Sequence, residues 1–109
     1  MNIDHLYANR LLDCYAVLLT KRQRQVADDY YGNDLSMQEI AENEAISKAA
    51  VSDLLKRVQQ QLLRYEKLLH LAEKKDLRDK MLREAKECQN IDVQKFAQKL
   101  ERIEEKEYE

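Results

Sequence analysis

Apolar residues recur at spacings of three and four along most of this chain, and that period predicts amphipathic helices rather than strands. The first such run predicts a helix over residues 5–18, with Asp4 as its N-cap. Apolar side chains cover much of the circumference of this helix instead of forming one stripe. We therefore expect the first helix to lie between two partners, such as the centre of the chain and a second copy.

A second helix is predicted after Thr20, because Thr20 and Gln23 form the capping-box pattern T-x-x-Q. Gly32 is expected to end this helix in the left-handed conformation, which glycine adopts without steric cost. Leu35 comes shortly before the next cap and is expected to pack in the core. The predicted inner face of the second helix comprises Val26, Ala27, Tyr30 and Tyr31.

The segment 36–57 carries two helix starts in quick succession. Ser36 and Glu39 form a second capping box, and Ser47 offers its hydroxyl to the free amides of a following helix. The chain must turn between them, near Ala45. The apolar residues expected to face one another across this turn are Ile40, Ala41, Val51, Leu54 and Leu55. Two capped helices that cross steeply at a tight joint predict a helix-turn-helix.

The second helix of this motif is expected to run far beyond the motif itself. Apolar residues continue at steps of three and four after Val58, so the helix should reach about Leu69 or Leu71. The polar interval at residues 73–76 interrupts this stripe, and a bend is expected there. The stripe comprises Leu62, Tyr65, Leu69 and Ala72.

Two further helices are predicted in the tail, and Asp92 is expected to cap the last one. The inner face expected for that last helix comprises Val93, Phe96, Ala97, Leu100 and Ile103. Both tail stripes are narrow, so each helix must pack on something else. Residues 1–71 are therefore expected to form the helix-turn-helix domain. Residues 72–109 should pack on it within one compact unit, or on a partner subunit.

Composition favours an all-α chain of one domain. With no proline and a single glycine in 109 residues, the sequence lacks most of the turn formers that strands require. Hydrophobic residues make up 44% and charged residues 37%, which is enough apolar material for a modest core. We see neither a signal-peptide pattern nor an apolar run of about 18 residues, so we expect a cytoplasmic protein without membrane insertion.

No residue pattern predicts catalysis. The sequence has no glycine-rich phosphate loop, no Ser/His/Asp or Cys/His set in a plausible arrangement, and no metal-ligand spacing. Cys14 and Cys88 have no paired spacing with His5 or His70, so they are expected to be reduced thiols packed on helices. We expect no enzyme activity, cofactor, metal or small-molecule substrate.

The pattern A-x-x-x-A-I-S-x-x-x-V-S-x-L, from Ala41 to Leu54, resembles the helix-turn-helix of bacterial regulators and of sigma-factor region 4. Over residues 11–71, including Tyr30-Tyr31 and the late LLHL, the chain resembles the YlxM family, small bacterial proteins encoded beside the signal recognition particle GTPases. The resemblance implies a sigma-region-4-like fold, of the winged-helix-type DNA-binding class without a wing, with a long recognition helix and additional C-terminal helices. It also implies a role in, or regulation of, the signal recognition particle pathway.

Two residues depart from the motif. Ala45 stands where Gly or Asn usually adopts a left-handed backbone, which alanine adopts only at some cost. Glu44 stands where an apolar residue usually closes the turn. These departures predict a looser turn, or one rotated so that Glu44 reaches water.

A recognition helix presents its N-terminal residues to bases and phosphates, and this chain offers polar and small residues there. The candidate contacts on that helix are Ser47, Lys48, Ala49, Ser52, Lys56 and Arg57. Lys21, Arg22 and Arg24 at the start of the second helix oppose its dipole, so they form either a phosphate-facing edge or a solvated face. Residues 20–71 carry eight Lys and Arg against eight Asp and Glu, so DNA affinity should be modest and strongly salt-dependent.

A homodimer is the expected assembly, because the long stripe and the wide apolar first helix both need partners. The predicted dimer interface comprises Leu11, Tyr15, Leu62, Tyr65 and Leu69. Two functions stay open. One is a regulatory protein that binds DNA. The other is a protein-interaction or RNA-binding module that contacts the protein or the RNA of the signal recognition particle, as the resemblance implies.

Overall fold

A computed structural model of the chain describes residues 3–106, which form six α-helices and no strand. The helices are α1 (His5–Tyr15), α2 (Lys21–Ala27), α3 (Met37–Glu44), α4 (Lys48–Leu69), α5 (Leu71–Glu87) and α6 (Ile91–Glu104). A 3₁₀ turn, Ala16–Leu18, follows α1, and a π-helical turn, Asp28–Gly32, follows α2. The all-α prediction is confirmed. Among the described residues, no helix is both long enough and apolar enough to cross a membrane.

The chain divides into two compact units, Met1–Ala72 and Glu73–Glu109. In the first unit α4 is central, and α1, α2 and α3 all pack against it. The large side chains that are fully buried there are Leu11, Tyr15, Val26, Ile40, Val51, Val58 and Leu62. They occupy the periodic apolar positions, because burial of one face per helix is what makes short helices stable.

Two polar contacts position α1 within this unit. The Ile3 amide donates to Oε1 of the buried Gln59 on α4 at 3.0 Å. The side-chain amide of Asn9 donates to the Tyr31 carbonyl at 2.9 Å, which joins α1 to the π-helical turn. Both hydrogen bonds are part-buried, and each gives a partner to polar groups that packing removes from water.

The helix starts predicted at Asp4, Thr20 and Ser36 are confirmed. Asp4 caps α1 through its side chain. Thr20 and Gln23 bond reciprocally at 3.1 Å and 3.0 Å, and Ser36 and Glu39 do so at 3.0 Å and 3.2 Å, so both capping boxes form. Each box satisfies two helix-end amides with side chains only three residues apart, so it needs no distant partner.

The first helix departs from prediction at its end. α1 stops at Tyr15, and the remaining residues of the predicted helix form the tighter 3₁₀ turn. Leu6 and Val17 stay largely exposed, so the wide apolar surface of this helix is only partly covered by the chain.

The prediction that Gly32 is left-handed is wrong. The Asn33 amide donates to the Asp28 carbonyl at 3.0 Å, which widens the last turn, and Asp34 takes the positive φ of 56° instead. A Cβ at residue 32 would lie 3.0 Å from Oδ1 of Asp28, so glycine leaves room for that carboxylate. Leu35 is half-buried against the core, as predicted.

α4 ends at Leu69 as predicted, but the bend expected at residues 73–76 is wrong. The chain turns three residues earlier, at His70, whose φ and ψ are 55° and 31°. α5 then runs without interruption through the polar interval, because Lys, Glu and Asp in an exposed helix cost little.

A hydrogen-bond network fixes the turn at the end of α4. The hydroxyl of the fully buried Tyr15 donates to the Glu66 carboxylate at 2.6 Å and accepts from the Leu71 amide at 3.0 Å. The Ala72 amide donates to the same carboxylate at 3.0 Å. The first two amides of α5 are thus satisfied by side chains from α1 and α4. Burial, which is the larger cause, and the hydrogen bond to Glu66 together raise the pKa of Tyr15 to about 12.

The second unit consists of the rest of α5 and all of α6. Asn90, not Asp92, caps α6, and its side chain accepts from the amides of Asp92 and Val93 at 2.9 Å and 3.2 Å. Asn90 has the extended backbone that an N-cap requires, whereas Asp92 already lies inside the helix. Ion pairs join α5 to α6, with Arg78 bound to Glu104 and Lys86 to Glu101.

Three of the five residues predicted at a dimer interface lie elsewhere. Leu11, Tyr15 and Leu62 are fully buried in the core of the first unit, so their apolar surface is already covered by the same chain. Tyr65 is half-buried, with its ring centroid 5.8 Å from that of Tyr15. Only Leu69 is exposed. The prediction is corrected for the three core residues, because periodicity identifies an apolar face but not what covers it.

Candidate nucleic-acid interface

α3 and α4 meet at a closed turn. Ala45 adopts the left-handed conformation, with φ 55° and ψ 43°. The Ile46 amide donates to the Ala41 carbonyl at 3.1 Å and the Ala45 amide to the Glu42 carbonyl at 3.4 Å, the two bonds of a Schellman motif. The turn is therefore not loosened by Ala45, which pays about 1–2 kcal/mol for its backbone. Glu44 is half-buried beside it.

The first half of α4 carries the predicted contact residues. Ser47 caps the helix by accepting from the Ala50 amide at 3.0 Å, and its hydroxyl hydrogen can still be donated to a ligand. The exposed residues of this half-helix include Lys48, Ala49, Lys56 and Arg57, whereas Ser52 is half-buried. The opposite side of the helix is anchored in the core by Val51, Leu55 and Val58. The contact side is thus held in a fixed orientation.

Asp53 modifies the charge of this surface. Its carboxylate lies 3.3 Å from the Arg57 guanidinium, one helical turn away, and both side chains are exposed. An exposed pair at this spacing contributes only about 0.3–0.5 kcal/mol, so a phosphate can compete for Arg57. Asp53 nevertheless lowers the local positive charge.

Ser52 and Lys56 border a shallow depression of about 150 Å³ beside α4. Its lining includes His5 from the start of α1 and the neighbouring rings of Tyr30 and Tyr31. Burial raises the pKa of Tyr31 above its ordinary value. The depression thus places aromatic rings next to two of the predicted contact residues.

The basic residues of α2 lie at another place. Lys21 and Arg24 border an open groove of about 610 Å³ between α1 and α2, together with Asp13 and Asp28. Arg22 is exposed and is not part of that lining. The predicted phosphate-facing edge of α2 is therefore a surface of mixed charge, and it shares no lining residue with the depression beside α4.

The family follows from comparison with known proteins. A model of the UPF0122 family, described as YlxM/p13-like helix-turn-helix proteins, matches residues 3–103. The chain belongs to this family. This confirms the resemblance and the helix-turn-helix predicted from the sequence. UPF0122 is described as a helix-turn-helix family.

Bacterial relatives carry the same family name. A UPF0122 protein of Clostridium botulinum (strain Alaska E43 / Type E3) is 40% identical over 107 residues, which cover 92% of this chain and 98% of that protein. One of Clostridium acetobutylicum is 42% identical over 86 residues, covering 72% of this chain and 74% of that protein. One of Clostridium kluyveri is 51% identical over 65 residues, covering 60% and 59%.

Sequence reasoning missed one cluster in this UPF0122 member. Nδ1 of His5 lies 3.3 Å from the Asp34 carboxylate. Its ring centroid is 4.9 Å from that of Tyr30, so histidine and tyrosine pack at the edge of the depression. The Tyr-Tyr-Gly-Asn-Asp segment signalled a turn, but nothing local indicated that the turn faces the start of α1.

Proposed function

We propose that this chain is a regulatory protein that binds nucleic acid, with DNA as the main target, through the first half of α4. One observation carries the proposal: Ser47, Lys48, Lys56 and Arg57 stand on the outward side of a helix whose inner side is anchored in the core. In helix-turn-helix proteins the second helix of the motif enters the major groove with its N-terminal residues at bases and phosphates.

The chemistry of this surface favours phosphate contact over base readout. Lysine and arginine bind phosphate oxygens, and a capping serine donates to a phosphate at a helix start. Ala49 is small and exposed, so the helix can approach the bases closely. None of the first residues of α4 is an Arg, Asn or Gln, the usual bidentate readers of guanine and adenine.

Salt dependence measures how many phosphates are contacted. With about five contacts, affinity should fall roughly 500-fold between 50 and 200 mM salt. We propose to measure binding to a fluorescein-labelled duplex of mixed sequence by anisotropy. Replacing Lys48, Lys56 and Arg57 together by Glu should abolish binding that the wild type shows at low salt. Unchanged binding would refute this placement of the interface.

A matched control separates contact from net charge. Lys74, Lys80 and Arg83 are exposed residues of α5, and replacing them by Glu changes the net charge by the same amount. The control should retain duplex binding. Loss of binding in both triple variants would mean that total charge, not α4, governs the interaction.

Asp53 offers a test in the opposite direction. Asp53→Asn removes the anion that pairs with Arg57 while keeping a side chain of similar shape. Affinity for the duplex should rise, because a negative charge near the phosphates is removed. A fall in affinity, with circular dichroism unchanged, would show that Asp53 itself makes a favourable contact.

The second candidate function is contact with the protein or the RNA of the signal recognition particle. Residues 20–71 contain equal numbers of acidic and basic residues, and this charge balance favours the second candidate. A segment without net charge has no overall attraction to DNA, and a protein partner does not require one. Both candidates act in the cytoplasm of a bacterium. Capture of partners from that cytoplasm, with and without nuclease, distinguishes them. Partners lost on nuclease treatment favour nucleic acid, whereas a GTPase that survives it favours the protein partner.

We also propose that the protein acts as a homodimer, as expected for a regulator with one helix-turn-helix per chain. Leu11, Tyr15 and Leu62 are buried in the core of the first unit, which speaks against their use in the contact. Another apolar surface must therefore join the two copies.

A further inference from the structure

α5 and α6 present an apolar face to solvent in the second unit. Side chains at spacings of three and four along both helices are between 38% and 70% exposed. They are Leu77 and Met81 on α5, and Val93, Phe96, Leu100 and Ile103 on α6. We call this surface the hairpin face. Exposed apolar side chains grouped on helices in this way mark an interaction site more often than apolar residues scattered singly over a surface.

The hairpin face contains a groove of about 410 Å³ between the two helices. Its apolar lining comprises Met81, Leu82, Ala85, Val93, Phe96, Ala97 and Leu100. Charged residues, Arg78 and Glu104 among them, also border it, and these two are already paired with each other. The groove therefore offers apolar contact and no buried charge that a ligand would have to neutralise.

The second unit buries little apolar surface of its own. Over its described residues, 73–106, only Leu82 and Ala97 are buried apolar side chains. A unit of fewer than about 40 residues rarely folds on so small a core without a disulfide, a metal or oligomerisation. α6, with 14 residues, is also short enough to be marginal in isolation. Covering the hairpin face is thus expected to stabilise the unit that carries it.

We propose that the hairpin face is a self-association surface, covered by the hairpin face of a second copy of this chain. The six side chains expose on the order of 600 Å² per copy, at about 200 Å² for a fully exposed large apolar side chain. Two copies together reach the lower end of the roughly 1,200–2,000 Å² that stable interfaces bury. Two antiparallel helix pairs meeting in this way form a four-helix arrangement, the usual solution for apolar helix faces.

Charge also favours a second copy over a charged partner. Residues 73–106 contain ten Lys and Arg against nine Asp and Glu, so the unit is nearly neutral, with both signs interspersed. An isologous interface places a surface against its own image, and a surface of one dominant sign would repel itself there. A nearly neutral unit has no such repulsion, and it offers no attraction to a strongly acidic or basic molecule.

Self-association through the hairpin face is independent of nucleic-acid binding and is tested separately. Light scattering at micromolar concentration should give the wild type twice the chain mass of 13.0 kDa. Met81→Glu combined with Phe96→Glu should give the mass of a single chain. Both side chains are about 70% exposed within one chain, so charge there costs little in the monomer. A wild type at single-chain mass, or a double variant that stays at twice that mass, would overturn the proposal.

A complementary pair of variants tests for misfolding. Met81→Lys with Phe96→Lys should also be monomeric alone. Mixing the Glu variant with the Lys variant should restore the species of twice the chain mass, because opposite charges then meet across the interface. Failure to restore it would refute contact between two hairpin faces, even if each variant alone is monomeric.

The control uses two apolar residues of the first unit that are equally exposed. Leu6→Glu with Val17→Glu changes side chains that are 74% and 77% exposed on and after α1. This variant should keep the mass of the wild type. If it is monomeric instead, α1 joins the copies and the hairpin face does not.

Discussion

Replacing Tyr15 by phenylalanine removes one oxygen atom from the core of the first unit and keeps the ring. That oxygen donates to the Glu66 carboxylate at 2.6 Å and accepts from the Leu71 amide at 3.0 Å. Tyr15→Phe therefore tests whether this bridge holds the turn at His70 in place. The apolar contacts of the ring, including that with Tyr65, stay the same.

The expected loss follows from the two bonds. A hydrogen bond to a charged acceptor contributes about 1.5–3 kcal/mol. The Leu71 amide also loses its acceptor at a part-buried position, which costs about 1 kcal/mol. Glu66 keeps the Ala72 amide at 3.0 Å. Tyr15→Phe should therefore lower the free energy of unfolding by about 2–4 kcal/mol.

Urea unfolding followed by far-ultraviolet circular dichroism measures this loss. Glu66→Gln and the double variant complete a double-mutant cycle, in which the Tyr15–Glu66 coupling should be about 1–2 kcal/mol. Tyr7→Phe removes the hydroxyl of a half-buried tyrosine on the same helix, outside this network, and should cost less than about 0.5 kcal/mol. The reasoning is refuted if Tyr15→Phe costs no more than Tyr7→Phe, or if the coupling is absent.

Three further outcomes are expected. Since burial and Glu66 raise the pKa of folded Tyr15 from 10.0 to about 12, its stabilisation is complete below pH 10 and is lost as pH rises towards 12. Urea titrations between pH 10 and pH 12 should show that the free energy of unfolding falls more steeply with pH for the wild type than for Tyr15→Phe. Equal slopes against pH would contradict this. Ala45→Gly should raise the free energy of unfolding by about 1 kcal/mol by relieving its left-handed backbone, and a decrease would show that no strain is present. Gly32→Ala should change it by less than about 0.5 kcal/mol, because φ is not positive there and the exposed Asp28 side chain can move. A loss above about 2 kcal/mol would indicate a left-handed Gly32.

Much of the first unit is predictable because its signals are local. The capping boxes at Thr20 and Ser36 use side chains three residues from the cap, and Ser47 caps α4 in the same way. The left-handed position of Ala45 also follows from the motif alone. These features depend on bonds that close within one helical turn, so the order of residues is sufficient to predict them.

The candidate interface is predictable only in part. Once Val51 and Leu55 are assigned to the buried face of α4, the helical period predicts that Lys48, Lys56 and Arg57 are exposed. The period does not indicate that Asp53 pairs with Arg57 rather than with another cation, or that aromatic rings border Ser52. Those neighbours depend on which helix packs beside α4, and that is a property of the assembled unit.

The sequence by itself determined the helical fold, the starts of α1 to α4, the helix-turn-helix and the family, because short-range hydrogen bonds and apolar periodicity depend on residues that are close together in the chain. Only the tertiary structure decided that the chain turns at His70 and not at residues 73–76, because the bonds that fix this turn join Tyr15 to Glu66 and Leu71, which lie 51 and 56 residues further along the chain. It also decided that Leu11 and Leu62 belong to the core while Phe96 and Met81 face solvent. All four occupy apolar faces of helices, and a face is identical in sequence whether its own chain or another molecule covers it.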